Sequence, residues 1–381
     1  MKRPLLLLFF IVSGFLSAQI EYHEFDSQRI GQKRQLKIQL PTNYDADIEQ
    51  HFPLIVVLDG DYLFEPVAGS VYYHSYWEDM PNAIVVGIDQ NDTRNADVFH
   101  EDINFLPTGS GLAFYEFVAN ELIPWLELNY RILNFRVIVG HDQTANFLNY
   151  YLLVKPPIFQ GYISMSPDLT PFMHGRLEKV LGETKDKLYY YQATSKNDIA
   201  ALHKPIFDLN ESLKAINNSN LNYFFDDFED ATHYSLAARA IPKSLEKIFS
   251  VYSPISKMEY TDVILKKEDS PYEYLVEKYK TIEEFYAIKM NVRVNDLIAI
   301  SSACTDKKDW KSLQKLGKLA NDQYPTYMLG EYYIAQSLEM KGEPKKALRT
   351  YEKAYLLEEK GNVNKDIILN RMNKIKEDFG Y

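Results

Sequence analysis

Apolar residues recur along the chain in short continuous or alternating runs, with stretches of three- and four-residue periodicity between them. Leu36-Lys-Ile-Gln-Leu40 alternates and predicts a half-exposed edge strand. Leu54-Ile-Val-Val-Leu58 and Ala83-Ile-Val-Val-Gly87 are uninterrupted, which predicts strands covered on both faces. Arg136-Val-Ile-Val-Gly140, Gly161-Tyr-Ile-Ser-Met165, Leu188-Tyr-Tyr-Tyr-Gln192 and Leu221-Asn-Tyr-Phe-Phe225 complete the predicted strands. The clearest helical stretch runs from Leu112 to Leu128, where Phe114, Phe117, Val118, Leu122 and Leu126 share one face after the turn Gly109-Ser110-Gly111. Strands alternating with helices predict a mostly parallel sheet flanked by helices, the α/β class.

Past about Ser250 the pattern becomes charged and wholly helical, with Ser253-Pro254 as the expected linker. The expected organisation is therefore a strand-and-helix domain over 19–252 and an all-α domain over 253–381. Within the latter, Tyr327 to Leu356 resembles a tetratricopeptide (TPR) helix pair. Ile334, Ala335 and Leu338 lie on its first helix, Gly342 at the bend, and Ala347, Tyr351 and Ala354 on the second. Asp296 to Asn321 offers a degenerate second pair and the helix from Asp366 a cap; an ordinary helical bundle is the other reading. Either way the tail implies contact, with a protein partner as the expected role.

Composition narrows the function classes. A net charge of −11 without a basic, aromatic-laced stripe excludes a nucleic-acid partner. Lys2 and Arg3, the apolar run from Leu5 to about Phe15, and Ser17-Ala18 read as a cleavable signal over 1–18. The chain is accordingly expected to be exported, to periplasm or cell exterior. The lone cysteine, Cys304, cannot form an internal disulfide and reads as a small core residue. No Cys/His cluster suggests a metal, and no cofactor is expected.

The sharpest local feature is Val137-Ile-Val-Gly140-His-Asp142-Gln-Thr144-Ala145, a buried strand running straight into an amphipathic helix. A nucleophile elbow takes this form, with small residues two before and two after the nucleophile. Gly140 suits the first position, and Thr144 approximates the second. Together with Leu58-Asp-Gly60-Asp-Tyr-Leu-Phe64, Pro107-Thr-Gly-Ser110-Gly, Asn129-Tyr130-Arg131 and Ser164-Met-Ser-Pro167, this stretch resembles the esterases of the enterochelin-esterase and esterase D type, over roughly residues 20–250.

The resemblance implies an α/β-hydrolase fold with a serine, histidine and acid triad. It puts the nucleophile position at Asp142, the base at His233 in Asp230-Ala-Thr-His233 and the acid at Asp198, with Asp226 and Asp227 as other orienters. It also implies oxyanion N–H groups at Gln143 and at Gly60 or Asp61. The family's Gly-His-Ser-x-Gly-Gly is here Gly140-His-Asp142-Gln-Thr144-Ala145, so serine and both later glycines are replaced.

Three readings follow from Asp142. A carboxylate attacking an ester carbonyl would give an anhydride, which disfavours ordinary acyl transfer and suits a lapsed enzyme acting by binding or scaffolding. Alternatively, Asp142 or a water acts with His233 on an ester, epoxide or haloacid, as aspartate does in the epoxide-hydrolase and dehalogenase branch of the fold. The third reading is an esterase working through another serine such as Ser166. A small ester-like ligand is expected only if the site is active.

Overall fold

The computed structural model describes residues 20–380, so the signal expected at 1–18 lies outside the described residues. Eight strands form one sheet: β1 (Ile20–Ser27), β2 (Gln32–Gln39), β3 (Phe52–Val57), β4 (Ile84–Ile88), β5 (Ile132–His141), β6 (Gly161–Met165), β7 (Leu188–Asn197) and β8 (Leu221–Thr232). Their order is β1-β2-β4-β3-β5-β6-β7-β8. Only the β1·β2 and β2·β4 pairs are antiparallel; β4 through β8 run parallel, with helices in the connections. This order is that of an α/β hydrolase with a helical tail.

The uninterrupted runs behave as their composition requires, since every residue of β3, β4 and β6 is buried. The expected edge strand is corrected by the structure, because β1 pairs with its outer side from Ile20↔Gln39 to Ser27↔Gln32. β2 therefore stands second from the edge, and its alternation reflects one wet face rather than a free margin.

The helical stretch predicted over 112–128 spans Gly109 to Asn129, with a wider π turn at Val118–Leu122. Phe114, Phe117, Val118, Leu122 and Leu126 are all fully buried. They join a core built with Leu36, Leu54, Val86 and Ile138 from the sheet.

The chain divides into two compact units, one of residues up to 73 with 82–244, the other of 74–81 with 245–381. The division falls inside the helix His233–Ile248, a few residues before the linker expected at 252/253. The second unit carries helices Pro271–Tyr286, Val294–Asp306, Trp310–Gln323, Leu329–Met340, Pro344–Tyr355 and Lys365–Phe379. Ser270, Asp309 and Asn364 cap three of these by accepting N–H bonds from Glu273, Ser312 and Ile367, satisfying otherwise orphaned donors. Gly342 takes φ +77 at the turn between the fourth and fifth, and Ala347, Tyr351 and Ala354 are fully buried. Cys304 lies in the same core, where burial first, then the charge of Asp309, pushes its thiol up to about 12. An unreactive packing residue results.

Candidate active site

β5 delivers Asp142 into a turn that ordinary residues avoid. Asp142 has φ 59 and ψ −120, a conformation costing on the order of 1–3 kcal/mol for a side-chain-bearing residue. Three backbone bonds hold it there: Asp142 N–H to Met165 O at 3.0 Å, and the N–H groups of Asn146 and Asp168 to Asp142 O, both at 3.2 Å. The helix Gln143–Phe147 follows at once. It approaches the strand so closely that a Cβ at Gly140 would stand 2.7 Å from the Thr144 carbonyl carbon and oxygen. Thr144 itself fits because its hydroxyl is used, donating to Asp59 Oδ2 at 2.6 Å and accepting from His141 N–H at 3.0 Å.

The histidine and the acid meet at the same edge of the sheet, where Asn197 pairs with Thr232 across β7 and β8. His233 follows β8 and Asp198 follows β7. His233 Nδ1 lies 2.8 Å from Asp198 Oδ1, and Ser166 donates to Asp198 Oδ2 at 2.6 Å. With Nδ1–H donating to the carboxylate, a neutral His233 carries its lone pair on Nε2, the atom a general base requires. Asp226 instead accepts from Tyr191 at 2.8 Å, and neither it nor Asp227 bonds His233.

Burial would raise the Asp198 carboxyl, but hydrogen bonds from His233, Ser166, the Ile199 N–H and Thr194 outweigh it and bring it down to about 2. A folded value below the unfolded one stabilises the fold above the unfolded value, and that contribution is lost as pH falls through the folded value. The stability advantage of wild type over Asp198→Asn is therefore expected to be complete at neutral pH and to shrink between the ordinary value of 3.8 and about 2. Urea midpoints for both proteins across that range read this out; a constant difference would refute it.

His141 joins the elbow to the base. Its ring lies 4.5 Å from the His233 ring, and its Nε2 is 3.0 Å from the His233 carbonyl oxygen, which can only accept. The proton therefore sits on Nε2, and Nδ1, 3.1 Å from the Tyr62 hydroxyl, competes with Asp59 for that hydroxyl's one proton. Burial, then the neighbouring His233, holds its pKa below the usual value.

Asp142 and His233 share no hydrogen bond. Asp142 Oδ2 instead meets Arg94 Nη1 at 3.2 Å. Arg94 forks onto Asp59 as well, Nε to Oδ1 at 2.7 Å and Nη2 to Oδ2 at 3.1 Å, and Nη2 donates to the His141 carbonyl at 3.0 Å. Asp59 is fully buried and also accepts from Tyr62 at 3.0 Å.

For the oxyanion groups, Gln143 opens its helix with an N–H that no intrahelical acceptor reaches. Gly60 is corrected: its N–H is engaged by Ile88 O at 2.7 Å. The residue is glycine because a Cβ would sit 2.6 Å from Ile88 N. Asp61 remains beside it, its carboxylate accepting from Gln90 N–H at 3.3 Å. Ser166 is fully buried against the acid and against Nδ1 of His233 at 3.1 Å, on the far side of the ring from Nε2. That position argues against it as an alternative nucleophile.

Arg94, Asp59 and Tyr62 escaped the sequence reading. Asp59 lies inside the quoted Leu58-Asp-Gly60 motif and could have been singled out there; Arg94 opens the four-residue helix Arg94–Asp97, in a segment without any motif.

Strand order, elbow and histidine–acid pair define an α/β hydrolase of the esterase type. The chain belongs to the Putative esterase (Esterase) family, whose pattern it matches over residues 27–218. It is similar to an uncharacterised protein from Capnocytophaga ochracea at 29% identity and TM-score 0.83, over 94% of this chain and 100% of that one. An IroE-like serine hydrolase from Shewanella oneidensis is 19% identical with TM-score 0.59, covering 80% of this chain and 99% of that one. The BES protein from Bacillus cereus is 21% identical with TM-score 0.54, covering 66% and 99%. The latter two share the fold. No curated protein matches the sequence.

Proposed function

We propose that this esterase-family protein does not hydrolyse esters by acyl transfer and acts by binding. The observation that carries the reading is the pairing of Asp142 with Arg94 in place of His233. A hydroxyl nucleophile of acyl transfer has to be free to attack and has to pass its proton to a base. Asp142 has no proton to pass, is bound by a guanidinium, and on a carbonyl would form an anhydride more reactive than the ester. The helical tail suits capture of a protein partner through stacked TPR-like helix pairs, and the apolar run at the N-terminus suits action outside the cytoplasm.

Short-chain aryl esters offered to wild type, Asp142→Ser and His233→Ala test this. Wild type is expected to stay at the buffer rate. Turnover by wild type that collapses in His233→Ala would overturn the proposal; activity gained only by Asp142→Ser would show that the scaffold is intact and only the nucleophile was lost.

A second reading is favoured by the strained turn at Asp142 and the ordered His233–Asp198 pair, both of which a binding protein could lose. In it Asp142 attacks an sp3 carbon, breaking its bond to halide or to the epoxide oxygen, which takes up a proton from water, and a water activated by His233 then hydrolyses the alkyl ester to the alcohol and free Asp142. One turnover of an epoxide or haloacid in H2(18)O would then place label in the Asp142 carboxylate.

A further inference from the structure

We infer that the ligand of this site is an organic cation, held by the Asp142 and Asp168 carboxylates and by the aromatic wall of His100, Phe105 and Phe172. The inference rests on the binding reading and adds the chemical class of what is bound.

Charge comes first. The carboxylates of Asp59, Asp142, Asp168 and Asp198 outnumber the guanidinium groups of Arg94 and Arg176 two to one. Asp59 and Asp198 are committed to Arg94 and His233, and Arg176 to the carbonyls of Asn104 and Phe105. The side chain of Asp168 forms no hydrogen bond, and Asp142 uses one oxygen of two. Asp168 is tied to the elbow through its N–H on Asp142 O at 3.2 Å. Asp168 is an exposed residue, but partial desolvation of its carboxyl, then the Asp142 charge, still pushes it above the usual value, and His100 opposes this.

A second observation is independent of the acids. His233 is only 7% exposed, and its Nε2 has no partner, yet it is not among the sealed, unpartnered atoms of the described residues. A nearly buried acceptor facing open space beside the elbow awaits a donor, and a protonated amine supplies one. An anionic or acyl ligand would meet the unpaired carboxylates instead.

The wall supplies the third element. Phe105 and Phe172, both at positive φ, bring their rings to 6.0 Å, and His100 lies 5.4 Å from Phe105. The Tyr150 hydroxyl pins the Phe105 carbonyl at 2.6 Å, and Thr170 N–H bonds Asn146 on the helix after Asp142. Phe172 is nevertheless 63% exposed. An aromatic face beside carboxylates attracts alkylammonium groups, and Arg176 already stands 6.0 Å from the Phe172 ring centre.

Titration calorimetry with benzyltrimethylammonium, benzylamine and phenylacetate tests the inference on the full chain, with ester turnover read in the same samples. Wild type is expected to bind both cations, benzylamine the more tightly because it alone can donate to His233 Nε2, and not phenylacetate. Asp168→Asn is expected to weaken cation binding at least tenfold, and Phe172→Ala severalfold, with urea midpoints confirming that both fold. Equal binding of phenylacetate, no cation binding at millimolar concentration, or unchanged affinity in Asp168→Asn would each overturn it. Ester turnover with cation binding intact would sink the binding-only reading alone.

Discussion

Arg94→Met is expected to destabilise the sheet-bearing unit by about 3–5 kcal/mol, the cost of leaving a buried charge without its partner. Asp59 is fully buried, and Arg94 supplies its two charged hydrogen bonds. The remaining donors, the Tyr62 and Thr144 hydroxyls, are neutral and cannot compensate a whole charge. Methionine preserves most of the side-chain length, so the effect is chiefly electrostatic. Asp59→Asn in the same chain removes the stranded charge while tolerating the φ of 51 at that position. The double variant is therefore expected to recover a large part of the loss. Hydrogen exchange of β3 and β5 amides in urea would measure all three; additive losses in the double variant would show that the two residues do not act as a pair.

This ion pair also shows where a sequence stops being readable. Strands β3, β4 and β6 were legible because burial on both faces demands uninterrupted apolar runs, and nothing about their neighbours need be known. β1 was not, because Ile20-Glu-Tyr-His-Glu-Phe lies on the sheet margin with half of its residues exposed and none of these six fully buried, so no apolar pattern marks it. Asp142 and His233 were legible as positions because the elbow's tight turn and the end of the last strand constrain local sequence. Choosing Asp198 over Asp226 and Asp227 needed geometry, since the latter two directly follow the apolar run Leu221–Phe225 yet lie inside β8, whereas Asp198 follows β7 and alone reaches the ring.

Arg94 was illegible for a plainer reason. It lies 35 residues from Asp59 and 48 from Asp142, at the start of a four-residue helix too short to show a periodicity. The same separation hid the fate of Asp142: whether a carboxylate at an elbow is a nucleophile or a counterion depends on what the fold brings opposite it. Gly60 was misassigned because its motif marks a close backbone approach, and the approach turned out to engage the very N–H expected to be free.

Glycine-to-alanine substitution is expected to act with opposite sign at two helical sites, Gly317 in the tail and Gly175 in the sheet-bearing unit. Gly317 lies in the helix Trp310–Gln323 and meets Gly330 of the helix Leu329–Met340. A Cβ on Gly317 would stand 2.6 Å from Ile334 Cγ1 and 2.7 Å from the Gly330 carbonyl oxygen. The isoleucine could turn away, but the carbonyl belongs to the partner helix backbone, so the helices would have to part. Alanine favours a helix over glycine by about 1 kcal/mol, whereas overpacking at a close contact costs about 1–3 kcal/mol or more. With a backbone atom in the way the second effect wins, and Gly317→Ala is expected to destabilise the tail by about 2 kcal/mol. Gly175 is also helical but has nothing within 4 Å of its would-be Cβ, so Gly175→Ala is expected to stabilise its own helix by up to about 1 kcal/mol. Hydrogen exchange of peptides covering 310–340 and 173–183 would read the two changes separately. Slower exchange at 310–340 in Gly317→Ala would mean that these helices do not meet through their glycines, and the stacked-pair arrangement on which partner capture rests would have to be redrawn.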